Sequence, residues 1–353
     1  MRPRALVLAP MRGPAWARLR ELAEVIYEPV PVRRSPRGHS AAELAARLEE
    51  ERARILITDG DEVGGPVLDL PLMAIGCTRA EPVNIDMAAA TARRIPVLCA
   101  PGRDADGIAE LTLALLLAVS RRLLVADRDV RAGREREERE WHRSWELAGR
   151  TFGIVGGGAS ARAVTWRMKG LGMRVIVHDP EAPRGRNGLG RLLAEADVVS
   201  MHGTIAHGAG RYGPVGGAGA APRVGAGHAT GPAGAAAAVP GNGLVAVIGA
   251  GEFAAMKPGA IFINTARPEW HDADALVGAL KSGHLGGAAL DHAPAGPGHP
   301  LAAMDNVVLT PGIGGGTYDT EANHSRMICG DIVRLLGGET PLHCANPEVL
   351  RTS

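Results

Sequence analysis

A glycine-rich segment between an apolar run and a helical run constrains the fold of this 353-residue chain more than any other feature. It has the form G-x-G-x-x-A, in which Gly156 and Gly158 are the glycines and Ala161 is the small residue. The first glycine allows a tight turn, the second lets the backbone approach a pyrophosphate, and the small residue allows close packing of helix on strand. The segment predicts a dinucleotide site that includes Ala159 and Ser160. A tight turn without a ligand is the alternative.

A carboxylate in the next unit of the chain strengthens this prediction. Residues 174–178 form an apolar run typical of a strand, and Asp179 follows it. A carboxylate about 20 residues after a glycine loop accepts hydrogen bonds from the ribose hydroxyls of NAD. Because Asp179 places negative charge where the 2′-phosphate of NADP would lie, we predict NAD as the cofactor.

Strand-like runs alternate with helical runs along the whole chain, which predicts βαβ units and parallel sheets. The fold class is therefore α/β with doubly wound parallel sheets. Helices are expected at 16–25, at 162–170 and, as one long helix, at 106–133. Strands are expected at 5–8, 54–58, 72–76, 96–99, 152–155, 174–178, 198–202, 260–264, 287–290 and 307–309.

Length and charge limit the classes of protein that this chain can represent. At roughly 150 residues per domain, the length predicts two domains. A formal net charge of +1 and an aromatic content of 3% offer no general attraction for nucleic acid or an anionic membrane. The apolar run at 5–8 is too short for a signal peptide, and the helical run at 111–119 is too short to span a bilayer. We expect a soluble cytoplasmic protein.

The four cysteines show neither a CxxC pair nor zinc-ligand spacing with histidine, so we expect free thiols and no metal. They are Cys77, Cys99, Cys329 and Cys344. Residues 203–243 are rich in Gly, Ala and Pro and contain few large apolar side chains. Because such a segment buries too little surface to offset the entropy of ordering, we predict a flexible insertion there.

Several separated blocks occur in an order and spacing that resemble the D-isomer-specific 2-hydroxyacid dehydrogenases, a family that includes phosphoglycerate dehydrogenase. They comprise the glycine loop with Asp179, Asn84-Ile85-Asp86, Ala100-Pro101-Gly102-Arg103, Ala109-Glu110-Leu111-Thr112, Met256-Lys257-Pro258-Gly259-Ala260, Ile263-Asn264-Thr265-Ala266-Arg267, Gly287-Ala288-Ala289-Leu290-Asp291 and Asn306-Val307-Val308-Leu309-Thr310-Pro311.

The resemblance implies an architecture and an activity. A discontinuous, flavodoxin-like substrate domain at 1–99 and 317–353 would accompany a Rossmann NAD-binding domain at 100–316, with the active site in the cleft between them. The implied activity is hydride exchange between NAD(H) and a small 2-hydroxy or 2-oxo acid. The resemblance also implies a homodimer.

The resemblance assigns roles to residues in the second half of the chain. Arg267 stands where an arginine orients the carboxylate and carbonyl of the substrate, and a planar guanidinium suits a 2-oxo acid. Thr265 and Ala266, together with Arg267, belong to the implied cofactor site. Asp291 stands where a residue helps to place the nicotinamide ring. A surface arginine and a helix cap are the alternatives for Arg267 and Asp291.

Two residues that carry proton transfer in this family are missing. The family has a histidine after Thr-Pro, where this chain has Gly312, and a glutamate a few residues after the Asp291 position, where residues 292–297 contain no carboxylate. His292 is the candidate substitute, with a surface histidine as its alternative. The loss leaves open a catalytically silent NAD-binding sensor or partner subunit, or a decayed gene product.

The predicted substrate loop also departs from the family. A glycine-rich turn usually offers backbone N–H groups to the carboxylate of the substrate, whereas this chain has Arg79, Ala80 and Glu81 there. Arg79 and Ala80 are the candidate substrate-binding residues, although Glu81 would repel an anion. A salt-bridged structural role is the alternative for Arg79.

Overall fold

The computed structural model describes residues 2–29, 38–134, 144–179, 188–203, 248–292 and 298–351. These residues form two compact units. Unit 1 comprises the described residues of Met1–Asp104 and Thr317–Ser353, and unit 2 comprises those of 105–316. Residues 100–104 thus group with unit 1, whereas the predicted boundary assigned them to the NAD-binding domain.

Unit 1 contains a five-stranded parallel sheet in the order β2-β1-β3-β4-β5, which is the flavodoxin-like order. Its strands are β1 (Arg4–Val7), β2 (Glu24–Tyr27), β3 (Ile55–Thr58), β4 (Ala74–Cys77) and β5 (Val97–Leu98). Its helices are α1 (Pro14–Leu22), α2 (Ala41–Glu50), α3 (Met87–Ala92) and, after the chain returns from unit 2, Tyr318–Leu336.

Strands β1, β3, β4 and β5 of unit 1 are mostly apolar because helices cover both faces of the sheet. Successive side chains point to opposite faces. Leu56 accordingly packs into one buried cluster, with Leu6 and Leu44, while Ile55 and Ile57 pack into the other. This double burial fixes the positions at which the strands end, and therefore the positions of the loops that follow them.

Unit 2 contains a six-stranded parallel sheet in the order β11-β10-β9-β8-β6-β7. Its strands are β6 (Thr151–Val155), β7 (Arg174–His178), β8 (Val198–Met201), β9 (Ile261–Asn264), β10 (Gly287–Leu290) and β11 (Val307–Leu309). Its helices are α4 (Ala105–Ser120), α5 (Leu123–Arg131), α6 (Gly158–Gly170), α7 (Leu189–Glu195), α8 (Ala250–Ala255) and α9 (Ala273–Lys281), so the last helix of unit 1, Tyr318–Leu336, is α10.

The sheet of unit 2 is also buried on both faces. Phe152 and Ile263 pack into one apolar cluster, and Phe262 and Val199 pack into the other. The predicted α/β class with doubly wound parallel sheets is confirmed. The bounds of β7, β10 and β11 match the prediction to the residue.

Three differences from the predicted elements have local causes. The helix predicted at 106–133 is interrupted, because Arg122 adopts φ 53°, a left-handed conformation that no helix continues through. The helix predicted at 16–25 ends at Leu22, and its last positions belong to β2. Helix α2 was not predicted, although Ser40 and Glu43 form a capping box at its start.

Two sequence-based predictions fall outside the described residues. They concern residues 204–243 of the predicted insertion and the segment 293–297, which lacks the family glutamate. Gly203, predicted as the first residue of the insertion, instead packs against the backbone of Gly157. The four cysteines are free thiols. No helix in the described part of the chain is long and apolar enough to cross a membrane.

Candidate functional site

The glycine loop, residues 156–160, lies at the point where the strand order of unit 2 reverses direction. Strand β6 pairs with β7 on one side and with β8 on the other. In open parallel sheets, ligands bind at the carboxyl ends of the strands that flank such a point. Gly156 follows β6 directly, and His202 follows β8.

Close backbone packing explains two of the glycines. Gly156 has φ 109°, and a Cβ atom there would overlap the carbonyl oxygen of His202. A Cβ atom at Gly157 would overlap the carboxylate of Asp179. A larger residue at Gly156 would push the loop away from the strand ends, and one at Gly157 would displace the Asp179 carboxylate.

The third glycine has a different environment. Gly158 has φ 84°, and a Cβ atom there would meet nothing within 4 Å. The first turn of α6 carries no acidic residue, so the N–H groups of Ala159 and Ser160 face no competing negative charge from that turn. Open space beside a helix N-terminus fits a pyrophosphate, as the sequence predicts.

Asp179 is half-buried at the end of β7, with its carboxylate against the glycine loop. This is where the ribose hydroxyls of a dinucleotide would need acceptors. The loop, the helix N-terminus and this carboxylate together fit the dinucleotide that the sequence predicts.

The Asn264 loop, residues 264–267, follows β9 and is shaped by one amide side chain. Asn264 accepts a hydrogen bond from the N–H of Ala266 (2.9 Å) and donates one to the carbonyl of Arg267 (2.8 Å). The hydroxyl of Thr265 lies 3.2 Å from that of Thr112 on α4. These bonds fix the backbone from which the Arg267 side chain projects.

The Arg267 side chain is exposed and forms only a long ion pair within the described residues. Its guanidinium lies 3.7 Å from the carboxylate of Glu269, and 44% of its side chain is accessible to solvent. An exposed ion pair of this length contributes little to stability. The guanidinium is therefore available to an anionic ligand.

Asp291 organises the Asp291 turn, residues 310–314, where the family histidine would stand. Its buried carboxylate accepts hydrogen bonds from the hydroxyl of Thr310 (2.6 Å) and from the backbone N–H groups of Gly312 (3.1 Å), Ile313 (2.8 Å) and Gly314 (2.7 Å). The carboxylate therefore caps a turn rather than a helix, and its predicted role in placing the nicotinamide ring stays a prediction.

Gly312 has φ 77° and carries no side chain that could transfer a proton. Both oxygens of the Asp291 carboxylate are engaged by the groups of this turn. The residues that hold this turn in place are present, whereas the histidine that would transfer a proton from position 312 is absent.

His292 packs against a second histidine. The ring centroids of His292 and His271 are 5.4 Å apart, and both ring nitrogens of His292 are inaccessible and lack hydrogen-bond partners within the described residues. Burial lowers the pKa of His292, against smaller opposing effects of Asp291 and Glu269. The charged form, which donates protons most readily, is thereby disfavoured.

Unit 1 contains a cluster of polar side chains at the carboxyl ends of its strands. Arg79 donates from Nε to the carbonyl of Asp59 (2.6 Å), and its Nη2 lies 3.7 Å from the Asp59 carboxylate. Thr78 donates to that carboxylate at 2.6 Å. Ala80 and Glu81 are exposed. The salt-bridged role considered for Arg79 is thus present, with 42% of its side chain still accessible.

Sequence reasoning missed two partners of this group. Arg103 Nη1 lies 3.6 Å from the Asp59 carboxylate and 3.1 Å from Nδ1 of His324. Asp59 directly follows a predicted strand, so the rule that ligands gather at strand ends would have identified it. His324, on α10, is brought there only by the fold.

The chain is similar to several known proteins. A glyoxylate reductase of Thermococcus litoralis is 32% identical over 285 residues, which span 76% of each chain. A D-3-phosphoglycerate dehydrogenase of Archaeoglobus fulgidus is 32% identical over 314 residues, which span 85% of this chain and 52% of that relative. The crystal structure of the TT0316 protein of Thermus thermophilus is 32% identical with a TM-score of 0.75, covering 97% of this chain and 99% of that one.

The chain belongs to the D-isomer specific 2-hydroxyacid dehydrogenase family. The NAD binding domain of this family matches residues 113–208 and 244–314. Unit 2 is therefore the NAD-binding domain of a family member, and NAD is its cofactor.

Proposed function

We propose that this family member exchanges a hydride between NAD(H) and a small 2-hydroxy or 2-oxo acid, with glyoxylate as the first substrate to test. The observation that carries the proposal is the intact dinucleotide cradle at the carboxyl ends of β6 and β8, with Arg267 exposed on the Asn264 loop of the same unit. The names of relatives such as the Thermococcus glyoxylate reductase support this substrate class.

When bound, NAD(H) supplies or accepts the hydride at C4 of its nicotinamide ring. The backbone at Gly156, Gly158, Ala159 and Ser160 would hold the pyrophosphate, and Asp179 would accept hydrogen bonds from the ribose hydroxyls. Thr265, Ala266 and Asp291 would line the nicotinamide site, Asp291 by fixing the turn at 310–314.

On the substrate side, Arg267 pairs with the carboxylate and polarises the carbonyl through its planar fork of donors. The ion pair between Arg267 and Glu269 must break first. Breaking it costs little free energy, because the pair is exposed and its atoms are 3.7 Å apart. Arg79 and Ala80 are proposed as the substrate-binding residues of unit 1.

Proton transfer to or from the substrate oxygen is the step for which the chain lacks the family's catalytic residue. General acid–base catalysis contributes typically 10²–10⁴-fold, and Gly312 provides none of it. His292 is the proposed substitute, although burial disfavours its charged form. We therefore expect turnover well below that of relatives that carry the histidine.

The test is calorimetric titration with NADH, followed by a panel of 2-oxo acids in which NADH oxidation is recorded. We expect NADH binding and slow, saturable reduction that is lost in Arg267→Gln and kept in Arg131→Gln, a matched exposed arginine of unit 2. Binding without any turnover would instead favour the catalytically silent alternative, and absence of NADH binding would overturn the proposal.

The role of unit 1 as a substrate-binding domain, a homodimeric state and a cytoplasmic location are further parts of the proposal. Their support is the family resemblance. Light scattering on the purified chain tests the dimer, for which we expect twice the 36.6 kDa mass of one chain.

A further inference from the structure

We propose that His271 is a positioning residue for Arg267, because its ring holds Asn264 and thereby fixes the Asn264 loop from which the guanidinium projects. The role of Arg267 toward a 2-oxo acid rests on the proposed function. The effect of His271 on the loop rests only on contacts within unit 2.

The segment between β9 and α9 folds back toward its own start. Strand β9 ends at Asn264, and Asp272 caps α9 by accepting a hydrogen bond from the N–H of Ala275 (3.0 Å). A single 3₁₀ turn at Pro268–Trp270 lies between these two points. His271 directly precedes the cap, and its Nδ1 lies 3.1 Å from Nδ2 of Asn264. The last residue before the cap therefore contacts the residue at which the strand ends.

Two backbone groups determine which way the Asn264 amide is oriented. The N–H of Ala266 can only donate, so it faces Oδ1 (2.9 Å). The carbonyl of Arg267 can only accept, so it faces the NH₂ group (2.8 Å). His271 therefore also faces the NH₂ group, which can only donate. It follows that Nδ1 of His271 is the acceptor of this hydrogen bond.

This assignment fixes the protonation of the His271 ring. A neutral imidazole whose Nδ1 accepts carries its proton on Nε2. Burial lowers the pKa of His271 to about 4, and the proximity of His292 lowers it further, so the ring is neutral at neutral pH. A charged ring would direct an N–H from Nδ1 at the NH₂ group of Asn264, and the hydrogen bond would be lost.

The packing of the His271 ring keeps its acceptor aimed at Asn264. Its centroid lies 5.5 Å from that of Phe262 and 5.4 Å from that of His292, and only 7% of the residue is accessible to solvent. The backbone on either side of it pairs with Ile248, which donates to one neighbour (3.1 Å) and accepts from the other (2.9 Å). A group restrained in this way holds its partner with little further loss of freedom.

The second ring nitrogen shows that stability alone does not account for a histidine at this position. Nε2 of His271 is inaccessible to solvent and has no hydrogen-bond partner within the described residues. A buried N–H group without a partner costs free energy. An apolar side chain of similar size would avoid that cost but would leave the NH₂ group of Asn264 without this acceptor. The acceptor at Nδ1 is therefore what the histidine contributes.

The effect of His271 reaches Arg267 through the backbone. The Arg267 carbonyl accepts from Nδ2 of Asn264 (2.8 Å) and from the N–H of Trp270 (3.2 Å). The guanidinium, by contrast, forms only the long, exposed ion pair with Glu269 within the described residues. Backbone contacts therefore set the direction in which the guanidinium projects, and Asn264 makes one of them.

A matched pair of variants separates the acceptor from the volume of the ring. His271→Leu removes the acceptor and keeps a buried side chain. His271→Asn restores it, because Oδ1 of asparagine is attached to Cγ as Nδ1 of histidine is, and can accept from Asn264. His284→Leu is the control, since His284 is a half-buried histidine of unit 2 whose Nε2 lies 3.0 Å from the carbonyl of Phe253.

The tautomer is tested in the native chain without any variant. Nitrogen NMR of the histidine rings at neutral pH should show a proton on Nε2 of His271 and none on Nδ1. A proton on Nδ1 would overturn the proposal, even if neither variant of His271 folds.

Amide hydrogen exchange at single-residue resolution measures the loop without a ligand. The N–H of Ala266 should exchange about 2- to 10-fold faster in His271→Leu, because the Asn264 amide that accepts from it has lost one anchor. His271→Asn and His284→Leu should keep the native rate. The N–H of Ala288 in β10 is the internal reference for opening of the whole unit. Equal Ala266 rates in the native chain and His271→Leu overturn the proposal, whatever the activity.

Binding of oxamate tests whether the loop acts through Arg267. Oxamate keeps the carboxylate and adjacent carbonyl of a 2-oxo acid but is not reduced, and it is titrated into each protein with NADH bound. Its affinity should fall about 10-fold in His271→Leu and recover in His271→Asn. In an Arg267→Gln background, His271→Leu should lower it no more than about 2-fold, because the residue that His271 positions is gone.

The two measurements keep this proposal apart from the proposed function. An equal loss of oxamate affinity in both backgrounds would overturn Arg267 as the residue that His271 positions, as would an unchanged affinity in His271→Leu. Absence of oxamate binding to the native chain would contradict the proposed function instead, and the exchange of the Ala266 N–H would still decide whether His271 fixes the loop.

Discussion

The glycine loop and the Asp291 turn lie in the same unit, but only the glycine loop has every feature that its predicted role requires. At the glycine loop, the backbone contacts, the open helix N-terminus and the Asp179 carboxylate are all present. At the Asp291 turn, the carboxylate still gathers one hydroxyl and three backbone N–H groups, but Gly312 offers no side chain.

This difference shows that a scaffold and its chemistry can be lost separately. The hydrogen bonds of Asp291 stabilise the turn whether or not a histidine stands at its centre. Cofactor binding relies on backbone geometry, so a substitution that removes it has to disturb the loop itself, as a larger residue at Gly156 would. Proton transfer relies on one side chain, which a single substitution removes.

Closing the space behind the glycine loop should have the largest effect. In Gly156→Ala, the new methyl group overlaps the His202 carbonyl at φ 109°. Overpacking and left-handed strain together cost about 3 kcal/mol, so we expect at least about 100-fold weaker NADH binding by calorimetry. Gly283→Ala, with φ 74° and open space before β10, away from the glycine loop, should lose no more than about 10-fold. Equal losses would mean that the contact with His202 does not shape the loop.

Restoring the missing histidine and glutamate tests the Asp291 turn. Gly312→His should raise the rate of 2-oxo acid reduction modestly, and Gly312→His with Gly296→Glu should raise it further, to about 10- to 100-fold. This is below the 10²–10⁴-fold of an intact acid–base group, because φ 77° strains any side chain at position 312 by about 1–2 kcal/mol.

Turnover of the native chain at ordinary dehydrogenase rates would contradict this expectation and point to another proton donor. His292→Ala then decides whether that donor is His292. Loss of activity with unchanged NADH affinity would assign the role to it, and full activity would exclude it.

Removing the negative charge of Asp291 should destabilise the folded state. Asp291→Asn replaces one acceptor oxygen by an NH₂ group that cannot accept from a backbone N–H. Losing a buried charge-assisted bond costs about 1.5–3 kcal/mol in the free energy of unfolding, measured with denaturant. Asp272→Asn is the control, since asparagine caps a helix as well as aspartate does and the expected change is near zero. An unchanged stability in Asp291→Asn would show that the turn does not depend on this carboxylate.

Acid should destabilise the glycine-loop region through His202. Burial lowers the pKa of His202 to about 3, whereas in the unfolded chain histidine titrates near about 6.5. Between these values the unfolded chain binds a proton that the folded chain does not, so the free energy of unfolding falls as the pH drops below about 6.5. One such site contributes a slope of about 1.4 kcal/mol per pH unit. His202→Gln should flatten the measured slope, and an unchanged slope in this variant would contradict the prediction.

The smallest effect concerns the choice between the two nicotinamide cofactors. Asp179→Ala removes the charge that repels the 2′-phosphate, so the preference for NAD over NADP should fall by about 10-fold, or about 1.4 kcal/mol. Asp274→Ala, an exposed carboxylate at the start of α9, is the control. Tighter binding of NADP than of NAD by the native chain would show that Asp179 does not set the preference.

Much of unit 2 follows from sequence because its signals are local. Strands β7, β10 and β11 are apolar runs bounded by turn residues, and the glycine loop is a fixed spacing, so neither depends on distant contacts. Strand β2 was missed because it is a half-exposed edge strand whose apolar run is only three residues long, 25–27, and begins inside the helix predicted at 16–25. The interruption after α4 was missed because an arginine with φ 53° leaves no mark in a pattern of hydrophobic residues.

The sequence by itself determined the α/β class, the dinucleotide cradle and the absence of the family histidine, since each is written in consecutive residues. Only the tertiary structure decided what Asp291 and Arg103 do. Asp291 binds backbone groups about twenty positions later in the chain, and Arg103 meets His324 on a helix that returns from the other end of the sequence. Such contacts depend on how the sheets bring strand ends together, and hydrogen-bond partners at that separation have no spacing that a sequence pattern can specify.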